Sequence, residues 1–514
     1  MRPIIREIPN SSPPETLVEL LDGEPGVVLL RSALLDPLHG RYSFVTARPF
    51  LTFRSFGSQC ELFSPARWSA DFQSAFGETC HPSRLQTGAP ASVMHVRFGD
   101  PWRVLDELMA RYELLDEVDL PFPLGGCFGY WGYELKNFVE PKLSRRAVND
   151  LELPDCHVSF YDSLVVFDHY LDKTWLVSTG LNADGSRSEQ RAREQLESWR
   201  ALLSVLPASC RQNHDLTCQS RASGSSTLSN LSRAEFLAAV SRARRYIRAG
   251  DIYQVNLSHR LAAPCALSGW ELFERLMAVS PAPLAAYLDC GDFQIASSSP
   301  EMFLRLSGAH VQTRPIKGTR PRSADPTRDA QLAYELQTSQ KELAELVMIT
   351  DLLRNDLGKV CEYGSVQVPE LARLERFAQV QHLVSTVEGR LRKEVTHFAA
   401  LASCFPGGSI TGAPKFRAME IIDELEPLAR GPYTGALGYL GFNRESQLSI
   451  TIRTAICRER TAYFHVGAGI VTDSNPEAEY EETLAKAAGF VAALNLEMNH
   501  AWSSDCSIPS QESG

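Results

Sequence analysis

The sequence lacks an excess of basic residues, a membrane-length apolar run and any paired-cysteine motif. Its 62 Asp and Glu residues outnumber its 51 Lys and Arg residues, for a formal net charge of −11, which argues against a general affinity for nucleic acid or anionic membranes. No apolar run approaches the roughly 20 residues of a membrane-spanning helix, and the first residues show no signal-peptide pattern. The 12 cysteines include no CxxC pair, so we expect a protein of the reducing cytoplasm.

What is present divides the chain into two blocks. Residues 1–202 carry short apolar runs (GVVLL, YSFV, SLVVF and TWLVS) that predict an antiparallel sheet. Residues 203–231 are rich in Ser, Gln and Asn and predict a polar linker, residues 232–495 form the second block, and residues 496–514 predict a flexible tail. We therefore predict an α+β fold in which two antiparallel sheets pack together between flanking helices, with both blocks in one body.

Two helices are predicted in the second block. Ser232 and Glu235 form an S-x-x-E capping box, and Gly250 suits the position after the end of that helix. A long helix is predicted over residues 328–356. Its predicted core stripe comprises Leu343, Leu346, Val347, Ile349 and Leu353.

Two strands are indicated by alternation. In DIYQVNLSHRL, Gln254 and Asn256 share one side. In SITIRTAI, residues 449–456, the isoleucines share one face and Arg453 lies on the other. A single strand of this kind would direct Arg453 into a cleft.

One lysine and one glutamate are candidates for catalysis. Lys317 stands in PIKGTRPR between Arg314 and Arg320, and like charges together with burial would favour the neutral amine that a nucleophile requires. Glu301, in SSSPEMFL, could act as a general acid if burial raises its pKa. Taken alone, Lys317 is more simply interpreted as an ordinary exposed lysine beside a turn, and Glu301 as a carboxylate on a loop.

Two pairs of glutamates suggest a hard cation. Glu342 and Glu345 share one helix face, as do Glu479 and Glu482 on a later helix. Mg²⁺ is usually held by one or two protein carboxylates plus waters and substrate oxygens, so one glutamate from each helix would suffice. From spacing alone, solvated glutamates on helix surfaces are the simpler interpretation. Lys486, four residues after Glu482, could pair with that glutamate or with a substrate carboxylate.

Taken together and in order, these motifs resemble those of the chorismate-utilising enzymes, most closely the group of aminodeoxychorismate synthase component I and next the anthranilate synthase component I group. The resemblance is dense from about residue 250 to 490 and looser in the N-terminal block. The motifs that carry it are GDIYQVNLSHR, SSSPEMFL, TRPIKGTRPR, KELAELVMITDLLRNDLG, QHLVSTVEG, FPGGSITGAPKFRAMEIIDELEP, SITIRT, GAGIVTDS and EAEYEETLAK. The fold it implies is that of anthranilate synthase component I.

The resemblance also implies roles for individual residues. Glu345 and Glu482 correspond to Mg²⁺-linked glutamates, with Glu342 and Glu479 as lesser contributors, and the metal would anchor the ring carboxylate of chorismate. Glu301 corresponds to the acid that helps expel the C4 hydroxyl. The remaining positions correspond to substrate-binding residues, namely Thr319, His382, Tyr433, Arg453, Gly467, Gly469 and Lys486.

Two positions bear on the choice of reaction. Lys317 falls where aminodeoxychorismate synthases carry lysine and anthranilate synthases usually carry alanine, so the resemblance implies amination of chorismate at C4 for folate synthesis, with anthranilate formation as the alternative. Gln254 stands where water-adding relatives have a lysine that activates water, and an uncharged amide cannot serve as that base. We therefore place Gln254 among the predicted substrate-binding residues.

The chain has no glutamine amidotransferase signature of the G-x-C-x-G-x-Q type. It should therefore not release ammonia from glutamine, and a separate glutaminase subunit is implied as partner. A catalytically inactive binding subunit is disfavoured because Glu301, Lys317, Glu345, Arg453 and Glu482 are all present.

Overall fold

The computed structural model describes residues 2–9, 12–33, 40–65, 80–83, 92–115, 118–205, 227–377 and 380–496. Its strands in chain order are β1 Ile4–Pro9, β2 Val28–Arg31, β3 Tyr42–Thr46, β4 Leu51–Phe56, β5 Gln59–Pro65, β6 Cys80–Ser83, β7 Ser92–Phe98, β8 Gly126–Trp131, β9 Cys156–Tyr161, β10 Ser163–Asp168, β11 Lys173–Ser178, β12 Leu228–Ser229, β13 Gln254–Pro264, β14 Leu284–Asp289, β15 Gln294–Ser299, β16 Met302–Ser307, β17 His310–Arg314, β18 Ile316–Pro321, β19 Gln367–Arg376, β20 Val380–Arg390, β21 Gly412–Ala413, β22 Ala436–Gly441, β23 Glu445–Ile450, β24 Thr454–Arg458 and β25 Thr461–Ile470.

The helices follow the same numbering along the chain. They are α1 Pro14–Glu19, α2 Pro101–Tyr112, α3 Lys136–Val139, α4 Glu189–Val205, α5 Arg233–Ala249, α6 Gly269–Val279, α7 Pro326–Thr338, α8 Gln340–Gly358, α9 His397–Cys404, α10 Lys415–Leu425 and α11 Pro476–Ala493. Short 3₁₀ turns cover Tyr133–Leu135 and Gly408–Ile410. Within the described residues, no helix combines the length and the apolar character needed to cross a bilayer.

Two large antiparallel sheets organise the molecule. The first runs β1-β11-β10-β3-β2-β14-β15-β24-β25-β13-β12, with β21 paired to β13, and the second runs β18-β20-β17-β16-β23-β22-β8-β9-β4-β5-β7-β6, with β19 paired to β20. In each sheet the strands of the N-terminal block lie side by side and meet those of the C-terminal block at one pair, β2 with β14 and β8 with β22. The predicted α+β fold of two packed antiparallel sheets with flanking helices is confirmed.

The largest apolar core lies between the two sheets. Phe44 of the first sheet meets Tyr439 of the second edge-to-face, with ring centroids 5.1 Å apart, and both belong to the same buried cluster. A second core lies on the other face of the first sheet, where α4, α6 and α11 contribute Trp199, Phe273 and Phe490. A third joins α5 and α10 to β13. Burial of apolar area in these layers supplies the main driving force for the fold.

Of the two helices predicted in the second block, one is confirmed and the other is wrong. The helix after Ser232 has the full capping box with Glu235 and ends at Gly250, whose φ of 83° is left-handed. The long helix predicted over residues 328–356 is wrong, because Ser339 ends α7 and caps α8 by accepting a hydrogen bond from the Glu342 N–H. Of its predicted core stripe, Leu346, Ile349 and Leu353 are buried, Leu343 is partly buried and Val347 is exposed.

The single strand predicted over residues 449–456 is also wrong. The chain leaves the second sheet at Ile450, passes through residues 451–453 without strand pairing, and enters the first sheet at Thr454. Arg453 has a φ of 52°, so a sharp turn rather than strand alternation sets its direction. This crossing carries the backbone from one sheet to the other beside the site described below.

The predicted linker and tail are described only in part. Helix α4 continues to Val205, residues 206–226 lie outside the described residues, and β12 pairs with β13. In the predicted tail, only Leu496 is described, and its N–H bonds to the carbonyl of Val491. Residues 497–514 also lie outside the described residues.

Candidate active site

A cavity of about 550 Å³ opens in the C-terminal block. All predicted site residues except Gln254 line it, including both candidate catalytic residues, Lys317 and Glu301. Its lining includes residues of β18, β20 and β25, of the first two turns of α8 and of the first three turns of α11. Residues that are far apart in the sequence therefore share one site.

Lys317 enters the cavity from a distorted strand. Strand β18 pairs with β20, and the register shifts between Lys317 and Thr319. Gly318 lies at this bulge with a φ of 70°, and a Cβ there would come within 2.6 Å of Leu336 Cδ1. Only glycine fits such a position without strain. The bulge lets Lys317 and Thr319 both face the cavity.

The charges around Lys317 differ from those that the sequence suggested. Arg314 pairs with Glu375, and Arg320 lies 3.6 Å from Glu342. The nearest charged partner of Lys317 is instead Glu345, with 3.2 Å between Nζ and Oε2. The two arginines that flank Lys317 in the sequence are therefore each paired with a carboxylate, and a third carboxylate stands beside the amine.

Glu301 meets the condition set for a general acid. It is buried, and its carbonyl accepts a hydrogen bond from the Ile450 N–H at 3.0 Å. Burial raises the pKa of Glu301 to about 7, although hydrogen bonds from Ser409 and the Ile316 backbone and the charge of Lys317 all act to lower it. A carboxyl with a pKa near neutrality can hold a proton and release it at physiological pH.

His382 and Thr319 form a neutral pair on the cavity wall. His382 Nδ1 lies 2.8 Å from the Thr319 hydroxyl. Burial lowers the pKa of His382 to about 4, so the ring is neutral near pH 7. A neutral imidazole beside a hydroxyl can accept or donate a hydrogen bond without adding charge to the site.

Arg453 and Tyr433 present groups that fit a substrate anion. Burial lowers the pKa of Arg453 from its ordinary value, and no described carboxylate pairs with its guanidinium. Tyr433 stacks on His465 with ring centroids 5.0 Å apart, and burial raises the pKa of Tyr433 to about 12. A partly buried guanidinium without a carboxylate partner among the described residues favours binding of a substrate carboxylate in fork geometry.

The four predicted metal glutamates all line the cavity, two from α8 and two from α11. Desolvation acts to raise the pKa of Glu482, but its ion pair with Lys486 and the charges of Lys317 and Lys341 lower it overall. Burial raises the pKa of Glu479, helped by the charge of Glu482. Across the described ranges, no group of three or more His, Cys, Asp or Glu side chains could hold a metal ion. The donor set fits a cation that completes its shell with substrate oxygens and water.

Gln254 lies immediately behind the cavity wall. A Cβ at Gly469 would lie 2.7 Å from Gln254 Nε2 and 3.6 Å from Lys317 Nζ, so the amide and the amine approach the same backbone position. The side chain of Gln254 is fully buried, and neither of its polar atoms has a hydrogen-bond partner among the described residues. Gly467 is packed equally closely, since a Cβ there would lie 2.8 Å from the Tyr433 hydroxyl.

Sequence reasoning missed several residues that line the cavity. Asn256, Ser409 and Lys341 are among them. The alternation that placed Asn256 on the same side as Gln254 could have identified it. Ser409 lies within the GGSITGAP motif, but only the fold shows that it bonds to Glu301.

The comparison with known proteins agrees with this geometry. A family model described as chorismate binding enzyme matches residues 76–492. The chain belongs to this family, as a chorismate-utilising enzyme of the type shared by anthranilate synthase and aminodeoxychorismate synthase component I.

Relatives with both names are similar over most of their length. The chain is 36% identical over 467 residues to anthranilate synthase component 1 of Acetivibrio thermocellus, covering 90% of this chain and 89% of the relative. It is 38% identical over 468 residues to aminodeoxychorismate synthase component 1 of Klebsiella aerogenes, covering 91% and 93%. The crystal structure of anthranilate synthase component I from Streptococcus pneumoniae TIGR4 superposes with a TM-score of 0.71 at 30% identity, covering 89% of this chain and 93% of that one.

Proposed function

We propose that this chain aminates chorismate at C4 to give 4-amino-4-deoxychorismate, the precursor of 4-aminobenzoate in folate synthesis. The observation that carries the proposal is the position of Lys317, whose amine enters the same cavity as the buried acid Glu301. Relatives named for either amination occur at similar identity, so the choice rests on this lysine. The alternative, anthranilate formation, would have ammonia itself add at C2.

The chain's own groups account for each bond change. After the ammonium group of Lys317 has given a proton to water, the neutral amine adds to C2 of chorismate while the ring double bonds shift and the C4–O bond breaks. The proton of Glu301 goes to the departing hydroxide, which leaves as water. Ammonia then forms a bond to C4, the double bonds shift back, and the C2–N bond to Lys317 breaks. The proton that ammonia loses restores the acid, so chorismate and ammonia give the product and water.

Substrate binding in this proposal uses the remaining groups of the cavity. Arg453 and Tyr433 hold the enolpyruvyl carboxylate, and His382 with Thr319 line the ring. Glu345 and Glu482, with Glu342 and Glu479 nearby, would hold Mg²⁺ together with the ring carboxylate. A bound Mg²⁺ supplies electron withdrawal from that carboxylate and neutralises its charge.

The first prediction tests the amine. Lys317→Ala should slow formation of 4-amino-4-deoxychorismate by roughly 100-fold or more, because the covalent route is lost. Lys317→Arg should be equally impaired, since it keeps the positive charge without a free amine. Product analysis from chorismate, Mg²⁺ and ammonium, with intact-mass spectrometry during turnover, should show an adduct on the natural chain alone. If the alanine variant makes the same product at the same rate, the proposed route is wrong.

A second prediction concerns the source of ammonia. The purified chain should use ammonium salts, better at raised pH where more of the nitrogen is unprotonated, and should not use glutamine. Glutamine-dependent turnover should appear only when a glutaminase partner is added. Product formed from glutamine by the single chain, with contaminating glutaminase excluded, would refute the assignment of a separate partner.

A further inference from the structure

The amines and carboxylates of the cavity are paired with one another. Lys317 pairs with Glu345 at 3.2 Å, and Lys486 pairs with Glu482 at 2.7 Å while also donating to the carbonyl of Gly467 at 2.8 Å. The charge of Lys317 also reaches Glu482. Lys317, which the proposed function assigns to chorismate, and Lys486, for which the resemblance implies substrate binding, thus occupy the two glutamates that the proposed function assigns to the metal.

These two uses of the carboxylates oppose each other. An ammonium and a divalent cation on the same carboxylate repel, and partial removal from water strengthens the repulsion. The side chains of Lys317 and Glu345 are only 17% and 13% exposed, so solvent screens this pair weakly. A cation that takes Glu345 must therefore weaken or break its ion pair with Lys317.

The net charge of the cavity is compatible with an exchange in which a divalent cation replaces lysine ammonium groups on the glutamates. Its lining contains five cationic side chains and five carboxyl groups, namely Lys317, Arg320, Lys341, Arg453 and Lys486 against Glu301, Glu342, Glu345, Glu479 and Glu482. Chorismate carries two carboxylates. A dianion that enters with a divalent cation leaves the net charge unchanged, provided that the internal pairs open to receive both.

We propose that Lys317 and Lys486 compete with the divalent cation for Glu345 and Glu482, so that binding of the cation transfers both ammonium groups from the glutamates to the substrate. The inference rests on the proposed function for the identity of the metal glutamates. Each lysine stays on its glutamate until a cation replaces it there. Lys317 then leaves Glu345 only when the cation that holds the substrate is in place.

The test measures metal affinity without substrate. Mn²⁺ binding to the purified chain is followed by electron paramagnetic resonance in the absence of chorismate. Lys317→Met keeps the aliphatic volume but removes the competitor, and should tighten Mn²⁺ binding about tenfold. Lys486→Met should act in the same direction but more weakly, because the side chains of Lys486 and Glu482 are 36% and 52% exposed. Lys341→Met is the matched control, because Lys341 lines the same cavity and its charge also acts on Glu479 and Glu482, but it forms no ion pair with a described carboxylate. Its effect should be well below that of Lys317→Met, at about twofold or less.

A double variant separates pairing from a general charge effect. In a Glu345→Gln background, Lys317→Met should change Mn²⁺ affinity by no more than the Lys341→Met control does. Where Glu345→Gln leaves binding too weak to measure, the comparison of Lys317→Met with Lys341→Met decides. The proposal is overturned if Lys317→Met tightens binding no more than the control, or tightens it equally without Glu345. Because no product is measured, failure here is distinct from failure of C4 amination, which the Lys317→Ala product assay decides.

Discussion

Glu301→Gln is expected to abolish most activity and at the same time to stabilise the protein at alkaline pH. The variant keeps the shape of the side chain but carries no proton for the departing hydroxide, so the rate should fall by about 10²–10⁴-fold. Burial holds the pKa of Glu301 at about 7 in the folded protein, against an ordinary value of 4.5. At pH 8 the natural protein must therefore keep an unfavourably buried charge that glutamine removes.

The sign of the stability effect follows from proton binding. Between pH 4.5 and 7, the raised pKa of Glu301 means that the folded state holds a proton that the unfolded chain has lost. The free energy of unfolding therefore falls as pH rises through this window, by about 3 kcal/mol for this group. Below pH 4.5 both states are protonated and the term vanishes.

Urea unfolding at pH 5 and pH 8 would measure this difference. Glu301→Gln should gain stability relative to the natural chain at pH 8 and little at pH 5. The control is Glu481→Gln, an exposed position on α11, which should show no such dependence. Equal stability of Glu301→Gln and the natural chain at pH 8 would show that the carboxyl is not desolvated, and would remove the basis for its role as an acid.

Arg430→Met is expected to destabilise the protein by about 3–5 kcal/mol, because it leaves a buried carboxylate unpaired. Arg430 is buried and donates to both oxygens of Glu426, at 2.7 and 2.6 Å. It also donates to the carbonyl of Asn256 at 2.8 Å and lies over the rings of Tyr133 and Tyr433. Two of these partners, Asn256 and Tyr433, line the cavity.

The double variant Arg430→Met/Glu426→Gln tests whether the lost pairing is the cause. It should recover part of the stability, because glutamine can still interact with the N–H and hydroxyl of Ser258, which now bond to Glu426, without carrying a charge. Denaturant unfolding would give both values, and the KM for chorismate should rise in both variants as the cavity wall loosens. A single Arg430→Met variant as stable as the natural chain would contradict this account.

The sequence predicted best where the signal was local. The capping box of Ser232 with Glu235 and the glycine after the helix involve neighbouring residues, and both are confirmed. The boundary between two helices at Ser339 could also have been predicted, since serine is a preferred N-cap residue and Glu342 follows it by three positions. This boundary was not predicted because the apolar pattern continues on both sides of Ser339.

Long-range features could not be read from spacing. The partner of Lys317 is Glu345 on another element, and Arg314 and Arg320 are close in sequence but paired elsewhere. The passage at residues 451–453 looked like a strand because alternation continues through it, although the two ends belong to different sheets. The site residues came from motif resemblance, and the fold accounts for their convergence on one cavity.

The way in which the two sheets are divided has a consequence for any attempt to isolate the site. The lining residues that the structure describes all come from Asn256 onward, which invites expression of the C-terminal block alone. Such a fragment would bare β14 where β2 now pairs and β22 where β8 now pairs, exposing two unsatisfied edges and part of the apolar core between the sheets. Open edges of this kind recruit other strands and aggregate. The N-terminal block thus covers two strand edges of the C-terminal block that would otherwise be open to other chains.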